Sequence, residues 1–268
     1  MSGIALGSGG LRSFVKRSLP TGVKRVLRAI AFQILDLSWQ LPSGVRIRIR
    51  NLSDWAIYNE IFVAGDYDPA ILMALDSAKA NGGLHIVDLG ANVGFFTLRC
   101  IEMVRRHRFH ASRMRVTAIE GNPNTYSQLL ERVGMQSDLP EFVAINGLVG
   151  ERHGTDAISD LEHSGLNHIS SDKAGRGIMV DYVDVEGAVG SGRVSLLKCD
   201  IEGAELAFLQ SYPALLARTD IAILELHPQQ CDEQQCISLL RSAGLLTHER
   251  LAQNPDVTSV IMASRPTE

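Results

Sequence analysis

The chain has 268 residues, of which 45% are hydrophobic and 21% are charged, and its formal net charge is −4. This composition is that of an ordinary globular protein and argues against a disordered or fibrous chain. The slightly acidic balance excludes a generally basic nucleic-acid binder, although a local basic patch stays open.

The length predicts one α/β domain with an extension, and residues 1–44 are predicted to be that extension. Residues 1–10 are rich in Gly and Ser, which is typical of a flexible terminus. Apolar residues recur at helical spacing between Val23 and Leu35, and basic residues precede the first acid, Asp36. This pattern predicts a basic amphipathic helix.

Two interpretations of this basic helix are open. In the first, residues 11–40 contact an anionic membrane surface or a partner subunit in an oligomer. The alternative, which we favour, is a helix that packs on the domain and leaves its basic face in solvent.

The next predicted elements are a strand, an aromatic segment and a helix. Residues 45–50 alternate apolar and basic side chains, as a half-exposed strand does. Residues 54–67 are rich in aromatic side chains, which either line a ligand pocket or pack this segment on the core. Residues 69–80 predict a helix that ends at Gly82 and Gly83.

Residues 86–97 predict a buried strand, a glycine-bearing turn and the start of a helix, and this turn is expected to hold a ligand. Gly90 and Gly94 have the spacing G-x-x-x-G, which differs from the G-x-G-x-x-G of dinucleotide-binding turns. Asp88 stands two residues before the first glycine. An acid here suits a ligand with ammonium or hydroxyl groups and no phosphate, of which S-adenosylmethionine is the common example.

The second core strand, residues 116–120, ends in Glu120. In a doubly wound sheet the carboxyl ends of neighbouring strands share a crevice, so Glu120 is expected beside the Gly90 turn. A carboxylate in that place can accept hydrogen bonds from both hydroxyls of a ribose. Pro123 ends the strand and suits the first turn of a helix over residues 125–133.

The third strand, residues 142–148, is followed by an insertion over residues 150–192 that interrupts the alternation of strands and helices. Residues 178–185 predict one strand within the insertion. Its three histidines, each better explained alone as an exposed loop residue, are His153, His163 and His168. Insertions after a core strand often carry specificity, so this one is expected near the substrate site.

Acidic residues follow the fourth strand, residues 194–198. Asp200, Glu202 and Glu205 emerge at its carboxyl end, where the reacting groups of this architecture lie. Glu202 and Glu205 have the spacing of residues that share a helix face. Acids at a helix start also complement the helix dipole, but Lys198, Asp200 and Glu202 together exceed what that requires.

The remaining elements complete the sheet. The fifth strand, residues 221–226, ends next to His227. Residues 233–243 predict a helix, and residues 246–251 and 257–263 predict a closing pair of strands.

Cysteine usage and hydropathy predict a cytoplasmic protein. The four cysteines lack the paired spacing of a zinc ribbon or a disulfide scaffold, and we expect free thiols, including at Cys231 and Cys236. The chain has no run of 18 apolar residues and no convincing signal-peptide core, so neither membrane spanning nor export is expected.

Three motifs, in this order and spacing, resemble the FkbM family of S-adenosylmethionine-dependent methyltransferases: VDLGANVGFFTL, AIEGNPNTY and LLKCDIEGAELAFL. The preceding segment SDWAIYNEIFVAGDYDP also resembles that family. The D-x-G-x-N-x-G motif alone is only moderately specific, but its combination with K-x-D-x-E-G-x-E is strong. The resemblance covers residues 45–263, and we assign residues 45–268 to an FkbM-like methyltransferase domain.

The resemblance implies a class I methyltransferase fold, which is a Rossmann-like α/β fold with helices on both faces of a mostly parallel seven-stranded sheet and an antiparallel final strand. It also implies S-adenosylmethionine as the cofactor and O-methylation of a hydroxyl on a sugar, glycan or secondary metabolite. Carried over by position, the cofactor-binding residues would be Asp88, Gly90, Ala91, Asn92 and Gly94 at the methionine part, Glu120 at the ribose, and Asn122 with Asn146 near the adenosine.

An aliphatic hydroxyl is a poor nucleophile, so a base or a cation must assist it. We predict that Asp200 or Glu202 is the catalytic base, with His227 as the second candidate, because both strand ends face the crevice. A divalent metal on Asp200 and neighbouring acids is the alternative. The sequence does not decide between base and metal, and it assigns no metal ligands.

Two other functions are compatible with this framework. A nicotinamide-dependent oxidoreductase is disfavoured by the missing G-x-G-x-x-G spacing. A non-catalytic cofactor-binding scaffold is disfavoured by the intact acidic cluster after the fourth strand. The expected partner is a small-molecule or glycan acceptor, and a nucleic acid is not expected.

Overall fold

The computed structural model describes residues 37–159, 177–254 and 258–266, so the predicted flexible terminus and most of the predicted basic helix lie outside the described residues. The described chain begins with an antiparallel hairpin of β1 (Leu37–Gln40) and β2 (Arg46–Ile49). This hairpin lies across the predicted boundary at residue 44, because β1 pairs with the strand that was expected to begin the domain.

The aromatic segment forms a helix that the sequence did not predict. α1 (Leu52–Tyr58) continues into one stretch of π-helix, Asn59–Ala64, which ends at Gly65. The Tyr58 ring stacks on Phe62 at 5.1 Å between centroids and meets Trp39 edge-on at 5.2 Å. Most of the aromatic rings in this segment therefore serve packing.

The remaining strands follow the predicted order, with one additional strand at the start of the insertion that the sequence did not predict. They are β3 (Leu84–Leu89), β4 (Met114–Glu120), β5 (Glu141–Asn146), β6 (Thr155–Ser159), β7 (Gly177–Asp181), β8 (Val194–Cys199), β9 (Thr219–Leu226), β10 (Thr247–Asn254) and β11 (Thr258–Ser264). Seven of them form one sheet in the order β10-β11-β9-β8-β3-β4-β5. β5, β4, β3, β8 and β9 are parallel neighbours, and β11 runs antiparallel between β9 and β10. The predicted fold class is confirmed.

Helices cover both faces of this sheet. They are α2 (Asp68–Asn81), α3 (Phe95–Arg106), α4 (Pro123–Gly134), α5 (Val185–Val189), α6 (Glu205–Ser211), α7 (Pro213–Ala217) and α8 (Glu233–Ser242). Because side chains alternate along a strand, Ile86 joins the core beneath α2, α3 and α4, whereas Val87 joins the core beneath α6, α7 and α8. The central strands are buried on both sides, and this explains their continuous apolar sequences.

The insertion contains a hairpin at the edge of the fold. β6 pairs antiparallel with β7, and the chain then turns into α5, so the predicted strand over residues 178–185 is shorter than expected. His153 is exposed, as expected, whereas His163 and His168 lie outside the described residues.

All four cysteines are buried and free, as predicted. Within the described ranges, no helix is both long enough and apolar enough to cross a lipid bilayer.

Candidate active site

Two cavities adjoin each other at the carboxyl ends of β3, β4, β8 and β9. The larger has a volume of about 680 Å³ and lies on the β8–β9 side. The smaller lies between the Gly90 turn and Glu120 and includes Leu148 and Ile158 in its wall. Asn92, Asp200 and Glu202 line both cavities, so the two spaces meet at these side chains.

The Gly90 turn is held against the end of β8. A Cβ on Gly90 would lie 1.7 Å from the carbonyl oxygen of Asp200, and the φ angle of Gly90 is +68°. Only glycine tolerates both the backbone conformation and this approach. Asn92 also adopts a left-handed φ of 50°, which Asn accepts more readily than most residues. The turn therefore exposes backbone to both cavities.

Glu120 joins the end of β4 to this turn. Its Oε2 accepts a hydrogen bond from the Asn92 amide and its Oε1 accepts one from the Asn122 amide, both at 2.8 Å. Burial raises the pKa of Glu120 to about 7, against the opposing effect of these two amides. The carboxylate is thus fixed in orientation beside the smaller cavity, as the sequence predicted.

Three predicted cofactor-binding residues lie behind the cavity walls and support the turns that form them. Asp88 is fully buried beneath the turn, where it accepts from the Thr97 hydroxyl at 2.9 Å. The Asn146 amide donates to the carbonyl oxygens of Glu120 and Gly121. Gly94 is the N-cap residue that precedes α3, with a φ of +93°. The described residues that line the two cavities include none of these three.

Ala91 and Asn122 do line the cavities, the first on the larger side and the second on the smaller. The Asn122 side chain is nevertheless engaged, because its Oδ1 accepts from the Asn124 and Thr125 amides and caps α4. Its backbone is engaged as well, because the N–H donates to Glu120 and the carbonyl accepts from the Tyr126 amide, so the side-chain amide nitrogen is what Asn122 can offer a ligand.

The predicted catalytic residues come together on the β8–β9 wall. One ligand atom each of Asp200, Glu202 and His227 lie within 4.8 Å of one another. His227 Nε2 is 3.4 Å from Glu202 Oε2, and Lys198 Nζ donates to Asp200 Oδ2 at 3.2 Å and to the Gly90 carbonyl at 3.0 Å. Each of the two carboxylates thus has a cationic neighbour.

The charge on these two cations is set by their partners. Burial disfavours the charged His227 ring, but hydrogen bonds to Glu202 and Glu205 raise the pKa of His227 to about 11. Burial also disfavours the charged amine of Lys198, but Asp200 and Asp88 raise its pKa. Both groups are therefore cations at neutral pH.

The expectation that Glu202 and Glu205 share a helix face is wrong. α6 begins only at Glu205, and Glu202 lies in the preceding turn with a left-handed φ of 54°. That conformation directs the Glu202 side chain into the cavities, whereas Glu205 is fully buried. The turn extends beyond Asp200 because Gly203 has a φ of +102° and delays the helix.

Sequence reasoning did not select three further acids of the larger cavity, Glu60, Asp66 and Glu225. Burial, and then repulsion from Asp200 and Glu60, raises the pKa of Glu225 to about 8. The spacing of Glu225 from His227 was a usable signal, because residues two apart on a strand face the same side. Glu60 lies in the π-helix and Asp66 just after it, in a region where the residue pattern predicts neither a strand nor a helix.

The insertion borders the smaller cavity. Ile158 of β6 contributes to its wall together with Leu148 and Val149. None of the described residues 150–159 and 177–192 lines the larger cavity. The reason is topological: the insertion follows β5 at one edge of the sheet, whereas the larger cavity lies toward β9 on the other side of β3.

A family model described as the methyltransferase FkbM domain matches residues 88–261. The matched part runs from the strand before the Gly90 turn through Glu120 and the acidic wall to β11. No curated protein sequence matches the chain.

Several solved structures are similar to the chain. Magnesium protoporphyrin IX methyltransferase from Synechocystis PCC 6803 with bound SAM has 13% identity and a TM-score of 0.42, over 99% of this chain and 100% of that chain. Fibrillarin from Aeropyrum pernix, in complex with natively bound S-adenosyl-L-methionine, has 14% identity and a TM-score of 0.40, over 85% of this chain and 82% of that chain. Similarities this low assign neither a substrate nor a site residue.

Proposed function

The chain belongs to the FkbM methyltransferase family, and from this premise we propose that it methylates a hydroxyl of a sugar, glycan or secondary metabolite. S-adenosylmethionine is the cofactor. The observation that carries the proposal is the meeting of the two cavities at Asn92, Asp200 and Glu202. A methyl donor on one side and an acceptor on the other would approach each other beside two carboxylates.

The smaller cavity fits the adenosyl part of the cofactor. Glu120 has both oxygens fixed by backbone amides and still lines the cavity, so each oxygen keeps a lone pair for a ribose hydroxyl. Leu148 and Ile158 supply apolar surface for a flat base. When bound, the cofactor supplies an electrophilic methyl group on a sulfonium.

In the larger cavity the chain has to hold the acceptor oxygen about 3 Å from that methyl group, in line with the bond that breaks, and to exclude water. As the new O–C bond forms, the hydroxyl proton passes to Asp200 or Glu202. His227 is already protonated and cannot accept this proton, so we give it the role of a hydrogen-bond donor.

The charge of the larger cavity supports an acceptor without negative groups. Five acidic side chains line it, and because the pKa of Glu225 is raised to about 8 this one is mostly neutral at pH 7. The other four still outnumber Lys198 and His227, and each of these two cations is already paired with carboxylates. A phosphorylated or carboxylated acceptor would be repelled by this surplus of negative charge. A panel that pairs neutral glycosides with their phosphorylated forms tests this part of the proposal.

A divalent cation is the second way to activate the hydroxyl. Asp200 and Glu202 offer carboxylate ligands at a suitable separation, and His227 offers an imidazole ligand if the cation displaces its Nε2 proton. A bound cation would stabilise an alkoxide. Turnover of Asp200→Asn and Glu202→Gln, measured with and without a chelator, separates base from cation. Full activity in both variants would contradict both the role of these carboxylates as a base and their role as cation ligands.

The proposed activity is tested by supplying labelled S-adenosylmethionine and following transfer of the label to the acceptor panel. Calorimetry with S-adenosylmethionine and with NADH distinguishes the alternatives. Binding of NADH alone would support the oxidoreductase, and binding of S-adenosylmethionine without transfer to any acceptor would support a non-catalytic scaffold. A cytoplasmic location, consistent with four free thiols, belongs to the same proposal.

A further inference from the structure

Glu205 connects the two turns that form the acidic wall. Its Oε1 accepts a hydrogen bond from His227 Nδ1 at 3.0 Å, from the Gly203 amide at 3.0 Å and from the Ile201 amide at 3.4 Å. The residue is fully buried and lines neither cavity. One carboxylate oxygen thus links the turn after β8 to the end of β9.

The two turns are packed so closely that this link sets their relative position. A Cβ on Gly203 would lie 2.9 Å from the Cβ of Gln230, which belongs to the turn after His227. The carbonyl oxygen of His227 accepts from the amides of Gln230 and Cys231, so the backbone of that turn is also fixed. The His227 side chain can then change only by rotation about its χ angles, and the hydrogen bond from Nδ1 to Glu205 prevents this rotation.

We infer that Glu205 is a positioning residue that holds Nδ1 of His227 and thereby directs Nε2 toward Glu202 and the larger cavity. This inference rests on the proposed function for its catalytic consequence. A ring fixed at one nitrogen presents the other in a single orientation, which is how carboxylates orient histidines at reacting sites. Without the carboxylate the ring can rotate about its χ angles, and Nε2 loses its 3.4 Å approach to Glu202.

Two substitutions of Glu205 separate positioning from simple packing. Glu205→Gln keeps the side-chain length and one acceptor oxygen, so it should preserve most of the orientation of His227. Glu205→Leu has a similar volume and no acceptor, so it should release the ring. Glu102→Gln is the matched control. Glu102, like Glu205, is a buried glutamate with a cationic partner, but its partner is Arg99 and the pair lies on α3, outside the site.

The first readout needs no acceptor. The full chain, labelled with ¹⁵N-histidine and kept in a chelator, is examined by NMR, and the His227 ring signal is assigned by its loss in His227→Gln. We expect a downfield, slowly exchanging Nδ1 proton that is unchanged in Glu102→Gln, persists at a shifted position in Glu205→Gln because a neutral amide replaces the carboxylate acceptor, and is lost to exchange with water in folded Glu205→Leu. An unchanged His227 signal in Glu205→Leu would overturn the inference. If that variant does not fold, an unshifted signal in Glu205→Gln would overturn it.

The second readout is turnover with an acceptor from the panel. Misplacing a catalytic group costs on the order of 10- to 100-fold in rate, and we expect Glu205→Leu to lower kcat by such a factor with little change in the Kd of S-adenosylmethionine. In the His227→Gln background the same substitution should have no further effect on kcat. An equal loss in both backgrounds would show a merely structural role. If the wild type methylates no acceptor in the panel, the proposed function fails. The NMR result still tests whether Glu205 holds Nδ1 of His227.

Discussion

Glu120 links the Gly90 turn to the cofactor side of the site, and its pKa of about 7, raised by burial, makes that link sensitive to pH. The ionised carboxylate can accept from both ribose hydroxyls in addition to the two amides, whereas protonation places a proton on one oxygen and weakens it as an acceptor, so affinity for S-adenosylmethionine should fall as pH drops through 7. Glu120→Gln should weaken binding by about 2 kcal/mol, or about 30-fold, at pH 8 and abolish this pH dependence.

Calorimetry with S-adenosylmethionine at pH 6, 7 and 8 measures both effects. Comparison with the wild type at each pH cancels any titration of the ligand itself. Glu141→Gln, an exposed glutamate at the opposite end of the sheet, serves as the control. A pH dependence that survives in Glu120→Gln would assign it to another group.

At the residue scale, sequence predicts which residues reach the crevice better than where their side chains point. Glu120 and Asp200 were predicted from strand ends and do line the cavities. Asp88 follows the same logic but lies within β3, where its side chain meets Thr97 and the Lys198 amine. Glu205 was predicted on one helix face with Glu202, and the delayed start of α6 separates them. A turn with positive φ angles is not visible in residue spacing.

Strand β3 and strand β8 depend on one glycine where they end. In Gly90→Ala the new methyl group would collide with the Asp200 carbonyl, which belongs to the backbone and cannot rotate away. We expect a loss of more than about 3 kcal/mol in the free energy of unfolding, together with loss of cofactor binding. Urea denaturation measures the first and calorimetry the second.

Gly190→Ala is the matched control for this substitution. Gly190 has a φ of +78°, similar to that of Gly90, but nothing lies within 4 Å of its added Cβ. Only the backbone conformation is penalised there: with φ +78° and ψ −171° it lies in a region that essentially only glycine adopts, and we expect a loss of about 1–3 kcal/mol. Equal losses in the two variants would mean that the contact between the Gly90 turn and Asp200 is unimportant.

Helices α1 and α4 are joined by an ion pair between Asp54 and Arg132, in which both side chains are completely buried. Asp54 also accepts from the Arg50 amide at 2.8 Å. Asp54→Asn would leave the Arg132 charge buried without its counter-ion, and we expect a loss of about 3–5 kcal/mol. Thermal and urea denaturation measure it. Asp76→Asn, at an exposed pair with Lys79, should leave stability unchanged, and a similar loss there would point to a general charge effect.

At the element scale, the sequence predicts long or apolar elements and misses contacts that depend on distant residues. α3 was predicted with its observed ends because Gly94 precedes it and its apolar pattern is regular. The pairing of Asp54 with Arg132, 78 positions apart, could not be read from either segment alone. α1 was missed for the same reason, since its aromatic residues obtain their pattern from packing on Trp39 and Phe95.

The whole molecule follows from the alternation of buried parallel strands with helices, which is why the seven-stranded sheet could be predicted in outline. The two peripheral hairpins, β1–β2 and β6–β7, are harder to predict. β6 is a short, mixed sequence, TDAIS, whose pairing with β7 is the feature that makes it a strand. Short edge elements depend on their partners more than on their own pattern.

The hairpin β1–β2 makes the start of the folded domain testable. Trp39 of β1 packs edge-on against Tyr58, while Ile47 and Ile49 of β2 are buried in the core. A chain starting at residue 37 keeps the whole hairpin, whereas one starting at residue 45 leaves β2 with an unpaired edge and exposes the apolar surface beneath Trp39. We expect the shorter chain to have the lower Tm, by several degrees, because loss of about 1–2 kcal/mol shifts the Tm of a domain of this size by about 2–8 °C. Equal Tm values for the two chains would instead place the start of the stable domain at residue 45, where the sequence alone predicted it.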